Sequence, residues 1–516
     1  MRVGVFFVYV DYNRKGAHYR GVLQPQIGPL IAALLPPNVE VEVINDTWEE
    51  PDWTRDYDLL FISCAHSDFD RARQISHYWR RRGARTVFGG ILASTYSSIC
   101  QPFFDSIVIG DAEGSVQEIY EDFCRDELKP LYISKRYDAE QVPVPRFDLL
   151  ASKQVLPLSL EATRGCPFSC EFCSLTGIGT RHHIRSPELV VRDIQAGQKM
   201  LKGLVPDWKR YGAAFVDNNI GGNLPHLAKL LEAITPLRLR WGAAITFNAV
   251  ADPDIVSMLA RAGCRFLFMG LESFNPESIA DMHKYQNTLD KTRTVLDQCR
   301  DHGILILSGL LINPLVDDLR YIESIPGRLR ESGLHLPSFL CFECPIPGTP
   351  YFHRLAAQKD PVFMPNALLR DFTGYTLVVK PKRESVEDFI EGYRAVLNAT
   401  FTTAAKLRKL ADDLPRFIKG GYWESIIMDL IQQFSVVYRP PHPDRTYLPI
   451  SDVVPPEMTS VPLTDADFDS DGQRNSILEP LEITDSEGYV LPQWQQSTRV
   501  YASKGAISPN VRMLGR

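Results

Sequence analysis

No apolar run in this 516-residue chain approaches the about 18 residues that a membrane-spanning helix needs, so no membrane span is expected. Basic charge is also short: 56 Lys and Arg face 63 Asp and Glu, for a formal net charge of −7. Dedicated nucleic-acid binders carry a basic footprint, so nucleic acid is disfavoured as a partner and a small-molecule substrate is expected. Nothing repeats at a solenoid period, which removes stacked-repeat architectures. No export signal is expected either. Residues 1–10 hold one arginine, Arg2, and then mostly β-branched and aromatic side chains, without a small-residue cleavage site, and read as a first strand. The expected setting is cytoplasmic. Cysteine is scarce, at ten, and in a reducing compartment these are metal ligands, buried apolar residues or reactive thiols before they are disulfides. What is present is ordinary for a folded chain. At 44% apolar and 23% charged residues wholesale disorder is excluded, and the length suggests about three domains.

Residues 1–130 alternate short apolar runs with helical patterns. Strands are expected at 3–10, 39–44, 59–63, 86–88 and 106–109, and helices near 24–35, 69–82 and 115–125. Such alternation builds parallel βαβ units and a doubly wound, Rossmann-like sheet, whose ligands bind beyond the carboxyl ends of the strands. The loops 11–16, 89–95 and 110–114 are rich in small or polar residues and belong at that edge. Residues 131–155 read as a connector, with the linker proper at 141–155 around Pro143 and Pro145. The alternation then resumes, with strands at 156–161, 213–217, 241–248, 266–271, 304–312 and 338–344 and helices such as 225–234, 252–261 and 290–302. Six β/α units make a partial (β/α)6 barrel of the TIM type, whose site collects the loops after Glu161, Asp217, Asn248, Leu271, Ile312 and Cys344. The expected division is a first domain over 1–140, the linker, the barrel over 156–375, a helical C-terminal region over 376–440 with an amphipathic run at 384–410, and an irregular tail over 441–516.

The residues that carry chemistry follow the first barrel strand: Arg164-Gly165-Cys166-Pro167-Phe168-Ser169-Cys170-Glu171-Phe172-Cys173. The C-x3-C-x2-C spacing lets three thiolates on a short loop face one centre. Thiolates are the usual ligands of iron–sulfur clusters, and three ligands on a four-iron cluster leave one iron open to another molecule. A structural zinc completed by His182 or His183 is the competing reading of the same loop.

This loop resembles the signature of the radical S-adenosylmethionine (SAM) superfamily, and the likeness extends over roughly residues 1–355. The resemblance implies that Cys166, Cys170 and Cys173 hold a [4Fe–4S] cluster, that SAM chelates the fourth iron, and that one electron cleaves SAM to a 5′-deoxyadenosyl radical. It also implies an electron donor such as a reduced flavoprotein. Phe172 is then expected beside the adenine, and Asp217 and Asn218 at the SAM amino group. Thr246 and Asn248 would face the pocket, Glu272 and Ser273 would reach the SAM ribose or carboxylate, and Ser308 would lie on the strand along the adenine. Pro345-Ile346-Pro347-Gly348-Thr349-Pro350 resembles the P-x-P-G-T-P segment of a branch that carries an N-terminal cobalamin-binding-type domain, and residues 1–130 resemble that domain. Ser63, Gly89, Gly90, Gly110 and Glu113 lie in its strand-end motifs, where small residues admit a corrin and its nucleotide tail close to the backbone. There is one departure. The D-x-H-x-x-G fingerprint reads Asp11-Tyr12-Asn13-Arg14-Lys15-Gly16 here, so Asn13 puts an amide, a poor cobalt ligand, in place of the imidazole. His18 or His66 could substitute as the cobalt ligand, but a lone histidine reads first as a surface or capping residue.

Cys341 and Cys344 form a C-x2-C at the end of the sixth strand. They read either as semi-buried thiols or as catalytic residues, a redox pair or hydrogen donors to a substrate radical. Lys284 and Tyr285 are unranked candidates for the barrel mouth, while Cys64, Cys100, Cys124, Cys264 and Cys299 read as core. The functional expectation is a radical SAM enzyme with cobalamin as methyl carrier, acting on an unactivated carbon of a small molecule or natural product. The alternative is radical rearrangement, dehydration, deoxygenation or cyclisation beside a cofactor-free first domain.

Overall fold

Val3 and Val5 of β1 (Arg2–Val8) are buried on one side of a sheet and Phe6 and Val8 on the other, which is why the strand is apolar at nearly every position. The computed structural model describes residues 1–8, 26–46, 51–134, 138–153, 156–179, 182–286, 291–358, 362–364 and 369–434. Asn13, His18 and the tail 441–516 lie outside them. β1 sits between β2 (Glu40–Asn45) and β3 (Leu59–Cys64), followed by β4 (Arg85–Gly89), β5 (Ser106–Ile109) and β6 (Leu131–Ile133). All pair parallel in the order β2-β1-β3-β4-β5-β6, and ligands of such sheets bind where the order reverses, beyond β1 and β3. Two expectations need correction. The loop 89–95 shrinks to a corner, because the helix Ile91–Cys100 begins directly after Gly90, whose φ of +105° suits only glycine. The connector is not loose: β6 extends the sheet, and Val142, Phe147 and Leu150 are buried.

β7 (Leu158–Leu160) opens a second sheet. β8 (Thr163–Arg164) and β9 (His183–Ile184) form an antiparallel ribbon that brackets the cysteine loop. β10 (Gly212–Phe215), β11 (Arg240–Ala244), β12 (Cys264–Glu272), β13 (Leu305–Ile312) and β14 (Phe339–Phe342) complete a parallel sheet in the order β7-β10-β11-β12-β13-β14. Neighbours in sequence are neighbours in space, the order of a (β/α) barrel, and the arc ends at β7 and β14 without closing. The helices between strands start where the sequence caps them. Ser186, Asn223, Asp252 and Asn275 each accept a backbone N–H from the first turn, and a proline occupies that turn. The third barrel strand is shorter than expected because Phe247–Val250 is already a helical turn.

Along β12–β14 the faces alternate. Leu267, Met269, Ile306, Leu310, Leu340 and Phe342 join the core against the outer helices. Phe266, Phe268, Leu305 and Leu307 point into the concave side. Glycines on neighbouring strands make room for rings there: a Cβ on Gly242 would lie 2.2 Å from Phe266, and one on Gly309 1.9 Å from Phe339. The run 384–410 is two helices, Val386–Thr400 and Thr403–Gly420, with Thr402 capping the second; Trp423–Phe434 follows. Phe417 packs with Phe266, Leu305 and Leu307, and Ser425 Oγ donates to the Gly303 carbonyl at 2.6 Å, so these helices close the amino-terminal floor of the barrel. Lys409 is buried between Asp413 at 2.6 Å and Asp429 at 2.5 Å. Of the cysteines expected in the core, Cys64, Cys100, Cys264 and Cys299 are buried; Cys124 is exposed, in the last turn of Val116–Cys124. Among the described residues no helix is long and apolar enough to cross a membrane.

Candidate cofactor sites

Cys166, Cys170 and Cys173 are half-buried free thiols on the loop after β8. The loop is stapled in place through Glu171. Its N–H donates to Met282, its carbonyl accepts from Tyr351, both at 3.1 Å, and Arg354 Nε donates to its carboxylate at 2.9 and 3.0 Å. Side-chain amides reach the sulfurs: Asn219 Nδ2 is 3.7 Å from Cys166 Sγ and Gln286 Nε2 is 3.5 Å from Cys170 Sγ. Burial pushes the Cys170 and Cys173 thiols up. Gln286 and the Lys284 charge oppose it at Cys170, and the N–H groups of Leu175 and Thr176 at Cys173. Donors and a cation aimed at sulfur stabilise thiolates, so this set fits an iron–sulfur cluster. Among the described residues no three His, Cys, Asp or Glu side chains converge as ligands of a single ion would. Ligands of a four-iron cube each hold a different iron and need not converge.

The strand ends sort the remaining candidates. Asp217 is turned to the backbone: its carboxylate accepts from Ala162 N, Thr163 N and the Thr163 hydroxyl, and burial pushes it up to about 7 against those bonds. It organises the approach to the cysteine loop instead. Asn218 is exposed, and Asn219, which the sequence did not single out, is the buried residue that links Cys166 to Thr246. Thr246 donates its N–H and hydroxyl to Asn219 Oδ1, and Asn248 is exposed in the following turn. Glu272 has a φ of +65° and its carboxylate is bonded to Lys284 Nζ, both residues 7% exposed. A Cβ on Gly270 would strike both groups, so the pair lies over the inner face of β12. Ser273 and Ser308 require correction. Ser273 is fully buried against Tyr321 Oη (2.7 Å) and Asn275 N (3.0 Å). Ser308 alternates with the inward-facing Leu307 and so points to the helix side.

Cys341 follows Phe339 on the inward side of β14, and burial holds its thiol well above its usual value. Cys344 packs against an apolar cluster, and burial pushes its thiol up to about 12. Both are therefore protonated near neutrality. Glu343, between them, is a residue the sequence did not flag. It is buried, neither carboxylate oxygen has a hydrogen-bond partner among the described residues, and burial with the nearby Asp281 charge pushes its carboxyl well above the usual carboxylate range. Phe172 packs against the same apolar cluster as Cys344. Tyr285 is exposed. His66 is buried and bonded to the Pro347 backbone, with burial holding it down at about 4.

A cavity of about 360 Å³ opens beyond the carboxyl ends of β1, β3, β4 and β5. Ser63, Gly89, Gly90, Gly110 and Glu113 line it on the side of the first sheet, and Glu161, Arg164 and Asn218 on the side of the barrel. Its depth is apolar, with Val5, Ile31, Phe61, Val87 and Val108 facing it, while its mouth is polar. A side chain on Gly90 would come within 2.9 Å of Ser63 Oγ. An apolar slot with a polar rim at a sheet's switch point suits a flat, amide-edged cofactor with an aromatic tail, so the residues present fit a corrin.

Residues 160–320 match the family model described as the Radical SAM superfamily. A bacteriochlorophyllide d C-8(2)-methyltransferase of Chlorobaculum tepidum is 26% identical over 336 residues, 63% of this chain and 74% of that protein. A hopanoid C-2 methylase of Rhodopseudomonas palustris is 23% identical over 354 residues, 65% of either chain. Among solved structures, the radical S-adenosylmethionine methyltransferase TsrM of Kitasatospora setae, with cobalamin and [4Fe-4S] cluster bound, aligns at a TM-score of 0.58 and 15% identity, over 78% of this chain and 88% of that one. The cobalamin-dependent S-adenosylmethionine radical enzyme OxsB, with aqua-cobalamin and S-adenosylmethionine bound, aligns at 0.59 and 15% identity, over 84% of this chain and 72% of that one. At these identities the two structures speak for the fold: a Rossmann-like sheet followed by a partial barrel.

Proposed function

We propose, from the premise that residues 160–320 are a radical SAM domain, that this chain is a cobalamin-dependent C-methyltransferase acting on an unactivated carbon of a small-molecule or natural-product substrate. The observation that carries the reading is the cavity that spans from the carboxyl edge of the first sheet to Arg164, two residues before the first cysteine of the loop. When bound, the cluster supplies the electron that cleaves SAM to a 5′-deoxyadenosyl radical, and cobalamin supplies the methyl group.

The chain's own residues have distinct tasks in this reading. Cys166, Cys170 and Cys173 hold the cluster, and Asn219 and Gln286 direct N–H groups at its sulfurs. The Glu272–Lys284 pair offers both charges where SAM presents an ammonium and a carboxylate. Asn218, Thr246 and Asn248 are polar groups at the same end of the strands, and Phe172 fills the wall behind the loop. Ser63, Gly89, Gly90, Gly110 and Glu113 receive the corrin. The closed floor keeps water from the radical. The relatives named above methylate a bacteriochlorophyllide and a hopanoid, which supports a carbon-rich substrate. A reduced flavoprotein is the proposed electron donor.

A second reading has its own observation: Cys341, a protonated thiol on the inner face, is suited to return a hydrogen atom to a product radical in a reaction without methyl transfer. Chain reconstituted without air should hold about four irons with sulfide, retain cobalamin, and form 5′-deoxyadenosine from SAM. Alanine at Cys166, Cys170 or Cys173 should abolish that product. Methyl-labelled SAM adds mass to the organic product in the first reading and none in the second. A chain that never yields 5′-deoxyadenosine sinks both.

A further inference from the structure

Arg164 joins two parts of the molecule. Its Nε and Nη2 donate to Glu161 at 2.6 and 2.8 Å, and its Nη1 and Nη2 donate to Glu113 at 3.1 and 2.7 Å. Nη1 also lies 3.0 Å from Asp111. The side chains of Glu113 and Glu161 are each 8% exposed, that of Arg164 is 17% exposed and that of Asp111 is 41% exposed, so two largely desolvated acids and one at the rim share one guanidinium. Burial works against the charge of Arg164, but the two forks outweigh it and hold its pKa above the usual value. Paired forks of this kind fix geometry as well as charge.

Each end of the cluster is committed elsewhere. Asp111 and Glu113 stand on the loop after β5, and with Gly110 and Ala112 they form one wall of the cavity. The backbone from Glu161 to Arg164 is held from behind. Asp217 accepts from Ala162 N and Thr163 N, Arg185 N donates to the Ala162 carbonyl at 3.0 Å, and Arg185 Nη1 donates to the Glu161 carbonyl at 2.8 Å. Two residues beyond Arg164 the chain reaches Cys166, which Asn219 contacts. The guanidinium thus ties the cavity wall to the backbone that leads, through Gly165, into the cysteine loop.

We propose that the Glu113–Arg164–Glu161 clasp couples the two cofactor positions: filling the cavity with a corrin and assembling the cluster on the cysteine loop favour each other. Arg164 acts as a positioning residue. The inference rests on the functional reading above. Linkage makes the effect reciprocal, and couplings between sites commonly amount to about 5–150-fold in affinity.

The test is the dissociation constant of hydroxocobalamin, measured by equilibrium dialysis on the full chain with a reconstituted cluster and on the cluster-free Cys166→Ala/Cys170→Ala/Cys173→Ala chain. The cluster-loaded chain should bind at least about five-fold tighter. Glu113→Gln keeps the shape and removes the charge, while Arg164→Lys keeps the charge and loses both forks. In either background the difference between loaded and cluster-free protein should vanish. The electron paramagnetic resonance spectrum of the reduced cluster should respond to cobalamin in the parent chain and not in the variants. Equal affinities in the parent pair, or a difference that survives Glu113→Gln in protein of unchanged melting temperature, overturns the coupling and leaves the function standing. Absence of cobalamin binding in every form overturns the function and the coupling with it. Should Arg164→Lys fail to fold, Glu113→Gln decides alone.

Discussion

Asp217 shows how one carboxylate can be misread from its neighbours. It lies where a ligand contact was expected, yet its oxygens are consumed by the backbone of 162–163, and the amide two positions later reaches the cysteine. The run Asp217-Asn218-Asn219 was visible as polar, but which member faces which way depends on the exact end of β10, and a shift of one residue reverses every side chain. The same reason displaced Ser308, while Ser273 lies beyond the irregular pairing of Gly270 and Glu272 with β13. Burial raises the Asp217 pKa from 3.8 to about 7, so between these values the folded chain binds a proton that the unfolded chain lacks. Stability from this group is therefore fully present below about pH 4, falls as pH rises, and is level above about pH 7. Asp217→Asn should flatten that part of the melting-temperature profile relative to the parent chain; superimposable slopes would contradict the assignment.

Elements were easier to read than residues. The alternation of apolar strand runs with helical patterns set the helix and strand order almost without help, since each is decided within a few neighbouring positions. The elements missed were those decided by distant partners. β6 is a three-residue strand that exists because β5 offers an unpaired edge, and Phe147 is buried only because the helix Pro187–Met200 and the barrel pack over it. The split of the run 384–410 is likewise tertiary, as the second helix turns to place Phe417 under the strands. Phe417→Ala should cost about 3–5 kcal/mol, because a fully buried ring leaves a hole among Phe266, Leu305 and Leu307 that rigid strands cannot fill. Denaturant unfolding measures the loss. Iron content per folded chain should stay unchanged, since the cysteine loop lies at the other end of the barrel.

At the scale of the whole molecule, the two sheets and the cysteine loop were legible because apolar rhythm and thiol spacing are properties of the chain itself. The cavity was legible only as a set of strand-end glycines. Its barrel-side wall, Glu161 and Arg164, depended on how the sheets meet, which no local pattern records. If the cavity takes a corrin in the folded chain alone, hydroxocobalamin at a hundred times its dissociation constant should stabilise the protein by about 2.7 kcal/mol. A scanning calorimeter would read this as a rise in melting temperature, and no shift at saturation would remove the cavity from the account. The stoppered floor carries a further consequence. Among the described residues, phenylalanines and helices shut the base of the vessel, so in the proposed reaction substrate and spent nucleoside would pass at the strand-end mouth or through the gap between β7 and β14, and not through the base.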